Sequence, residues 1–446
     1  MSFLKKIPSG NVSALQYFRL MRYGTMILIG VVFTNAPNSF SLSEIGTYEA
    51  FMLIAGAASF FWVNGLIQSL LPLYNSSKAF GKIKPETKSP VFFNIFILIL
   101  LLGFLSIIFL FIFKENISGE ADNKFFGFLA LYVFLVNPSH LVENIYLLKN
   151  KPRHIILYGL ISFFIQFVVV ASPAVLGYGV YESFAGLIFV TAIRFIWLVF
   201  LLYKYSSFII SIPFIKEYLH LGFPLVLSTL LSGSAQYFDA FLVKETYGKN
   251  YLAVFQYGAR ELPLALIMAS AFSNAMLPVF SQGKSLFETL NLIRKKSLFL
   301  MHFLFPLTIL LIAISNIVYP IIYNSEFTES AKIFNIYLLL VISRMVFPQT
   351  ILIGLKKTKT ILWASLYEIL INVSLSIIFI YYFGMIGVAY ATIIAYFFEK
   401  AFLIQILKRE KIYPGTYIPI KPVFLYSTLT IIVYLVFDYM IFTDFI

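Results

Sequence analysis

The sequence predicts an all-α integral membrane protein: two like-oriented six-helix lobes, twelve spans in all, plus one additional C-terminal transmembrane helix. Three observations predict it. The 446 residues are 60% hydrophobic and only 12% charged, whereas a soluble globular chain is about 25% charged. Apolar runs of about 20 residues, the length that crosses a bilayer, recur along the whole chain. Short stretches of the first half return in the second at an offset near 206 positions.

The predicted spans are 15–36, 48–74, 91–113, 125–148, 155–177, 185–203, 218–243, 251–280, 297–319, 332–354, 361–382 and 386–405, with a thirteenth at 423–442. Aromatic residues make up 18% of the chain, which suits lipid and the water–lipid interface. With the N-terminus in the cytoplasm, the inner segments hold 22 Lys and Arg and the outer segments 5. Such a bias sets orientation, and it accounts for the net charge of +13 without a nucleic-acid partner. The loops are too short for a folded soluble domain.

The chemistry is bounded as well. There is no cysteine, so disulfides and thiolate sites are excluded. His140, His154, His220 and His302 show no ligand spacing. No cleavable signal peptide is evident, and no phosphate-binding Gly-x-x-x-x-Gly-Lys loop or Asp-x-Asp motif occurs.

The repeat begins with Leu70 to Lys78 (LLPLYNSSK) and Met276 to Lys284 (MLPVFSQGK). Both leave a span at the cytoplasmic side, with Pro72 and Pro278 ending the helices. Shifted by the same distance, Leu148-Lys149 meets Leu355-Lys356, Gly177 falls beside Gly384, and Arg194 meets Lys400. Six spans per half keep the halves in the same orientation, a parallel repeat about an axis along the membrane normal. The organisation expected is an N-terminal lobe over 1–203, a cytoplasmic linker over 204–217, a C-terminal lobe over 218–405, and a tail with the extra span over 406–446. Two such bundles suit a transporter with a central cavity.

Charges inside spans need a partner or a wet cavity, because each costs about 2.5–3.5 kcal/mol at mid-bilayer. Arg19 lies near the surface and snorkels. Arg22, Arg194, Arg260 and Arg344 lie deeper, with Glu143, Asp239, Glu261 and Glu368. These are either interhelical ion pairs or the lining of a cationic cavity for an anionic head group, for which the guanidinium fork is suited. Arg260 and Glu261 point about 100° apart on a helix, so they do not neutralise each other. Pro224, Pro263 and Pro348 are read as interior to spans, where they bend helices. Tyr237, Tyr257 and Trp62 either stack on sugar rings or pack.

Several stretches resemble the polysaccharide flippases of the multidrug/oligosaccharidyl-lipid/polysaccharide exporter superfamily. They are Gly222-Phe-Pro224, Tyr237-Phe-Asp239, Tyr257-Gly-Ala-Arg260-Glu261-Leu-Pro263 and Leu277-Pro278-Val-Phe-Ser281. Leu42-Ser-Glu44-Ile-Gly46-Thr-Tyr48 resembles the family's first outer loop, and Gly384-Met-Ile-Gly387 its turn into span twelve. Their order within twelve spans carries the likeness. Twelve or fourteen spans are usual in the family, so thirteen departs from it.

The resemblance implies a bacterial inner-membrane protein that moves an undecaprenyl-diphosphate-linked oligosaccharide outward, as a unit of O-antigen, capsule or exopolysaccharide. It places Arg22, Arg194, Arg260 and Arg344 on the diphosphate–sugar head. Asp239, Glu261 or Glu143 would carry a proton or sodium; no other cofactor is implied. The partners implied are the lipid-linked oligosaccharide, membrane lipids and other polysaccharide-assembly proteins. A multidrug exporter of the same superfamily is the alternative, although its organic-cation substrates call for an acidic cavity. A membrane-embedded polysaccharide polymerase is a second one, and it would need an outer catalytic loop longer than any here.

Overall fold

A computed structural model describes residues 10–74, 88–115, 123–281, 285–355 and 357–443. Among these the chain is helical throughout, with a lone bridge between Ser89 and Ser206 as the only β pairing. Helix fills most of each predicted span. Among the described residues, eight helical stretches are long and apolar enough to cross a membrane, and up to ten if each of two bent pairs counts as one. The chain is a multi-pass membrane protein. Its lipid-facing signature is clearest on Pro90–Ile112, where Leu101, Phe104, Leu105, Phe109 and Ile112 stand exposed. In a bilayer that face meets acyl chains rather than water.

The chain divides into two compact units, residues 1–234 and 235–446. The division falls inside the helix Ile212–Tyr247, not in the expected linker at 204–217. Side chains explain why. Buried Asn94 donates to Ile209 O (2.8 Å) and accepts from Ser211 N (2.8 Å), while Ser206 Oγ donates to Ser89 O (2.9 Å). The first turns of Ile212–Tyr247 continue this attachment. Tyr218 donates to Leu66 O, and the bare backbone of Gly65 lies against Val226.

In the N-terminal unit, helix α1 (Asn11–Asn35) lies along α7 (Pro152–Leu176), and α7 along α8 (Val180–Tyr205). Between them, α2 (Leu42–Ala57) and α3 (Phe60–Tyr74) form a bent pair, followed by α4 (Pro90–Ile112), α5 (Asn123–Ser139) and α6 (Leu141–Leu148). Ser41 and Glu44 close a reciprocal capping box at the start of α2, which satisfies two otherwise orphaned amides. Glu44 of the acidic-x-Gly-x-Tyr stretch is thus a cap, and Tyr48 is packed on Phe33 and Phe184.

The C-terminal unit holds the end of α9 (Ile212–Tyr247), then α10 (Lys249–Gly258), α11 (Pro263–Met276) and α12 (Leu286–Tyr323). It continues through α13 (Thr328–Leu338), α14 (Leu340–Arg344) and α15 (Pro348–Gly354) to the 52-residue α16 (Thr358–Arg409). The short α17 (Pro414–Tyr417) and then α18 (Ile420–Thr443) complete it.

Two prolines differ from expectation. Pro263 and Pro348 are not interior; each opens a new helix at its first turn. Lacking an amide proton, proline leaves no hydrogen bond unmade there, so spans eight and ten break rather than bend. Pro224 does lie inside a helix. The helix before Pro278 ends at Met276 in a short 3-10 turn, Leu277–Ser281. Lys78 and Lys284 of the repeated stretch lie outside the described residues.

The repeat has a backbone counterpart. Gly177 closes α7 at φ +80°, and Gly384 breaks α16 at φ +64° and ψ −152°. Both conformations favour glycine. The long α16 is therefore a hairpin of two helical arms, 358–383 and 385–409, which carry the two predicted spans.

Candidate functional site

The sequence-predicted residues separate into three groups. The first is on the N-terminal unit. Arg194 on α8 donates from Nε to Ser162 Oγ (2.5 Å) and from Nη2 to Gln166 Oε1 (2.6 Å), both on α7, and its guanidinium lies 5.2 Å from the Phe163 ring centroid. Ser162 and Gln166 are one turn apart, which is why one fork reaches both. All three partners are neutral, so the guanidinium keeps its charge unneutralised. Arg22 on α1 is exposed and shares the electrostatic surroundings of Tyr132 and Arg194. Neither arginine has an ion pair among the described residues. Glu143 stands in the field of Arg194, and its own close contact is His140, at 3.9 Å.

The second group lies at the two breaks of the C-terminal unit. Arg344 ends α14 and meets Glu261 in a bidentate pair, Nε to Oε2 at 3.0 Å and Nη2 to Oε1 at 2.6 Å. Tyr396 covers the guanidinium at 4.6 Å. Glu261 belongs to the non-helical residues 259–262, so the pair joins one broken span to the other. Irregular backbone at membrane depth persists only where protein or a wet cavity satisfies it, and this pair supplies part of that satisfaction. Arg344 and Glu261, expected on different ligands, are thus each other's partner. Arg260, next to Glu261, turns elsewhere: Nε donates to Gln256 O (3.1 Å) and the guanidinium lies 4.7 Å from the Tyr257 ring.

For two of the aromatic residues the structure favours packing over sugar stacking. Tyr257 is 1% exposed and packed on Tyr323 and Phe327, so it offers no face to a sugar. Trp62 is buried and donates to Ala58 O. Tyr237 remains half-buried.

The third group surrounds Asp239, which is fully buried on α9. Its Oδ1 accepts from Ser376 Oγ (2.8 Å) and its Oδ2 from Thr392 Oγ1 (2.7 Å) and Asn372 Nδ2 (3.2 Å). Asn372 Oδ1 is buried with no hydrogen-bond partner. No cation pairs with Asp239 among the described residues. A buried carboxylate held only by neutral groups, beside an unmatched amide oxygen, is an oxygen-rich setting suited to a hard cation. Asn372, Ser376 and Thr392 were not singled out from the sequence. The signal was present as polar residues four apart, 368, 372 and 376, on one face of an apolar span.

This fold is shared with transporters of the multidrug/oligosaccharidyl-lipid/polysaccharide (MOP) superfamily. The chain is similar to a solved structure of the lipid II flippase MurJ in an inward closed conformation, with a TM-score of 0.65 and 20% identity, covering 96% of this chain and 99% of that one. It is also similar to an inward-facing multidrug resistance MATE family transporter (TM-score 0.61, 16% identity, 87% and 94% covered). A third likeness is to a MOP superfamily transporter from Pyrococcus furiosus (TM-score 0.57, 16% identity, 92% and 97% covered). No curated protein sequence matches the chain. The chain belongs to the polysaccharide biosynthesis protein family, whose model matches residues 41–332.

Proposed function

We propose that the chain is a flippase that moves an undecaprenyl-diphosphate-linked oligosaccharide across the bacterial inner membrane by alternating access. The glycan is a unit of O-antigen, capsule or exopolysaccharide, and the N-terminus is cytoplasmic. The observation that carries this reading is the pair Arg22 and Arg194, two cations in one neighbourhood with no carboxylate bound to either. A diphosphate supplies the missing negative charge, and planar guanidiniums grip its oxygens two at a time. The family and the likeness to a structure named a lipid II flippase point the same way.

The Asp239 group gives the cycle its driving ion. Asp239, Asn372 Oδ1, Ser376 and Thr392 would hold sodium, with the carboxylate balancing its charge. The multidrug reading shares the fold, but organic cations would be repelled by unneutralised arginines.

The test is flipping of a fluorescent lipid-linked oligosaccharide in proteoliposomes. The reading expects transport by wild type, stimulated by a sodium gradient, and loss of that stimulation in D239N. Export of organic cations in place of the lipid-linked glycan would overturn it.

A further inference from the structure

The hairpin α16 carries a buried polar seam that the Asp239 group only begins. Ser365, Glu368, Asn372 and Ser376 lie on one face of its first arm, and Thr392, Glu399 and Lys400 on the second; all seven are buried. At 100° per residue the four positions of the first arm fall within about 80° of arc. The seam runs from Thr392 and Ser376, near the Gly384 bend, to Glu399 and Lys400, nearer the open end that carries Lys408 and Arg409.

Glu368 is the unexplained member. It is 3% exposed, and its Oε1 is buried without a hydrogen-bond partner. The charged groups around it are Glu399 and Lys400 on the second arm, Arg344 on α14 and Asp239 on α9. The cations there are already matched: Lys400 Nζ is 3.0 Å from Glu399 Oε2, and Arg344 holds Glu261. With those pairs closed, Glu368 and Asp239 each remain as an uncompensated buried negative charge. Such a charge is strongly disfavoured unless a cation neutralises it.

The two acids differ in what surrounds them. Asp239 has two hydroxyls and an amide at hydrogen-bond distance, which suits a metal cation. Glu368 makes no hydrogen bond among the described residues, and a proton needs only the one oxygen. We propose that Glu368 is a proton-binding site separate from the Asp239 group, so that the C-terminal unit carries two monovalent cations, one at each acid. The proposal rests on the ion-driven reading above and adds a second ion to it. Tyr396 supplies the route by which the proton acts: it lies in the electrostatic surroundings of Glu368, and its ring covers the guanidinium of Arg344, the residue that ties the two broken spans, at 4.6 Å. A proton on Glu368 changes the charge beside that tie.

Infrared spectroscopy of the full-length protein in lipid nanodiscs tests this at neutral pH. The wild type should show the carbonyl stretch of a protonated carboxyl, moved by glutamate-specific carbon-13 labelling. The band should be lost entirely in E368Q and kept in D239N and E143Q. Absence of the band in wild type, or its survival in E368Q, overturns the proposal. If E368Q does not fold, E368D should show a protonated-carboxyl band that glutamate-specific labelling no longer moves, and a band still moved by that label in E368D overturns the proposal. Sodium-driven flipping without the band removes this proposal alone; a band without flipping removes only the transport reading.

Discussion

The two units treat the cations within their spans in opposite ways. In the N-terminal unit Arg194 is held by Ser162, Gln166 and the Phe163 ring, all neutral. In the C-terminal unit Lys400, which the repeat aligns with Arg194, sits on Glu399, and Arg344 sits on Glu261. Neutral partners fix a guanidinium's position while leaving its charge free to act on a ligand. Carboxylate partners cancel it. The first unit is left with unspent positive charge, and the second with unspent negative charge at Asp239 and Glu368. Under the proposed function, the first unit would hold the anion and the second the cation.

The largest effect should come from reversing the sign in the first half. Arg194→Glu is expected to lower glycan flipping about a hundredfold, the factor implied by losing about 3 kcal/mol of desolvated charge pairing. Arg194→Lys should recover only part of it, because an ammonium cannot span Ser162 and Gln166 as a fork does. Flipping unchanged in Arg194→Glu would end the contrast between the halves.

In the second half the corresponding loss should appear in stability. Glu261→Gln leaves the half-buried Arg344 unmatched, which costs about 2 kcal/mol. The unfolding midpoint of the detergent-solubilised protein should fall accordingly. The double variant Glu261→Gln, Arg344→Met should recover most of the drop, since no charge is then stranded. Equal destabilisation in the single and double variants would mean that the pair is not what ties the breaks.

The glycine bends sharpen the comparison at smaller scale. Gly384 sits where almost only glycine is found, so Gly384→Ala should cost about 1–3 kcal/mol. Gly177 is in the milder left-handed region, and alanine there should cost about 1 kcal/mol. Thermal unfolding of the two variants gives the ranking; a larger loss at Gly177 would reverse it.

Most of the helical intervals were legible in the sequence, because bilayer length and hydrophobicity leave little else for a run such as Pro90–Ile112 to be. The bends at Gly177 and Gly384 were legible as repeat partners. What was not legible depends on side chains meeting from distant segments. Nothing in the residues around Glu261 names Arg344, 83 positions away, and composition cannot separate a packed Tyr257 from an open one. The breaks at Pro263 and Pro348 were misread because proline bends a helix from inside and begins one from its first turn, and the sequence looks alike in both cases. Asp239 was found as an acid in a span; its hydroxyl and amide partners were not, since Ser and Thr are common in apolar helices as self-satisfied groups.

The smallest predicted effect returns to the same contrast at the helix ends. Lys149, just past α6, is 7% exposed, and its ammonium is 5.6 Å from the Phe92 ring centroid, 5.7 Å from Tyr205 and 5.9 Å from Tyr74. Burial, and next the charge of Lys151, hold it below the ordinary lysine range. The sign follows from linkage. The unfolded chain protonates this lysine more readily than the folded one, so the penalty is full at neutral pH. Stability should rise as pH climbs through the folded value toward the ordinary value of about 10.4. Cation–π attraction, about 0.5–2 kcal/mol, offsets part of the penalty and keeps the slope shallow. Lys149→Met should flatten it. In the other half Lys357 is paired with Glu410 at 2.5 Å, both well exposed, and Lys357→Met should leave the alkaline slope of the melting curve as it was. A slope that vanishes with Lys357 instead of Lys149 would place the strained cation in the wrong unit.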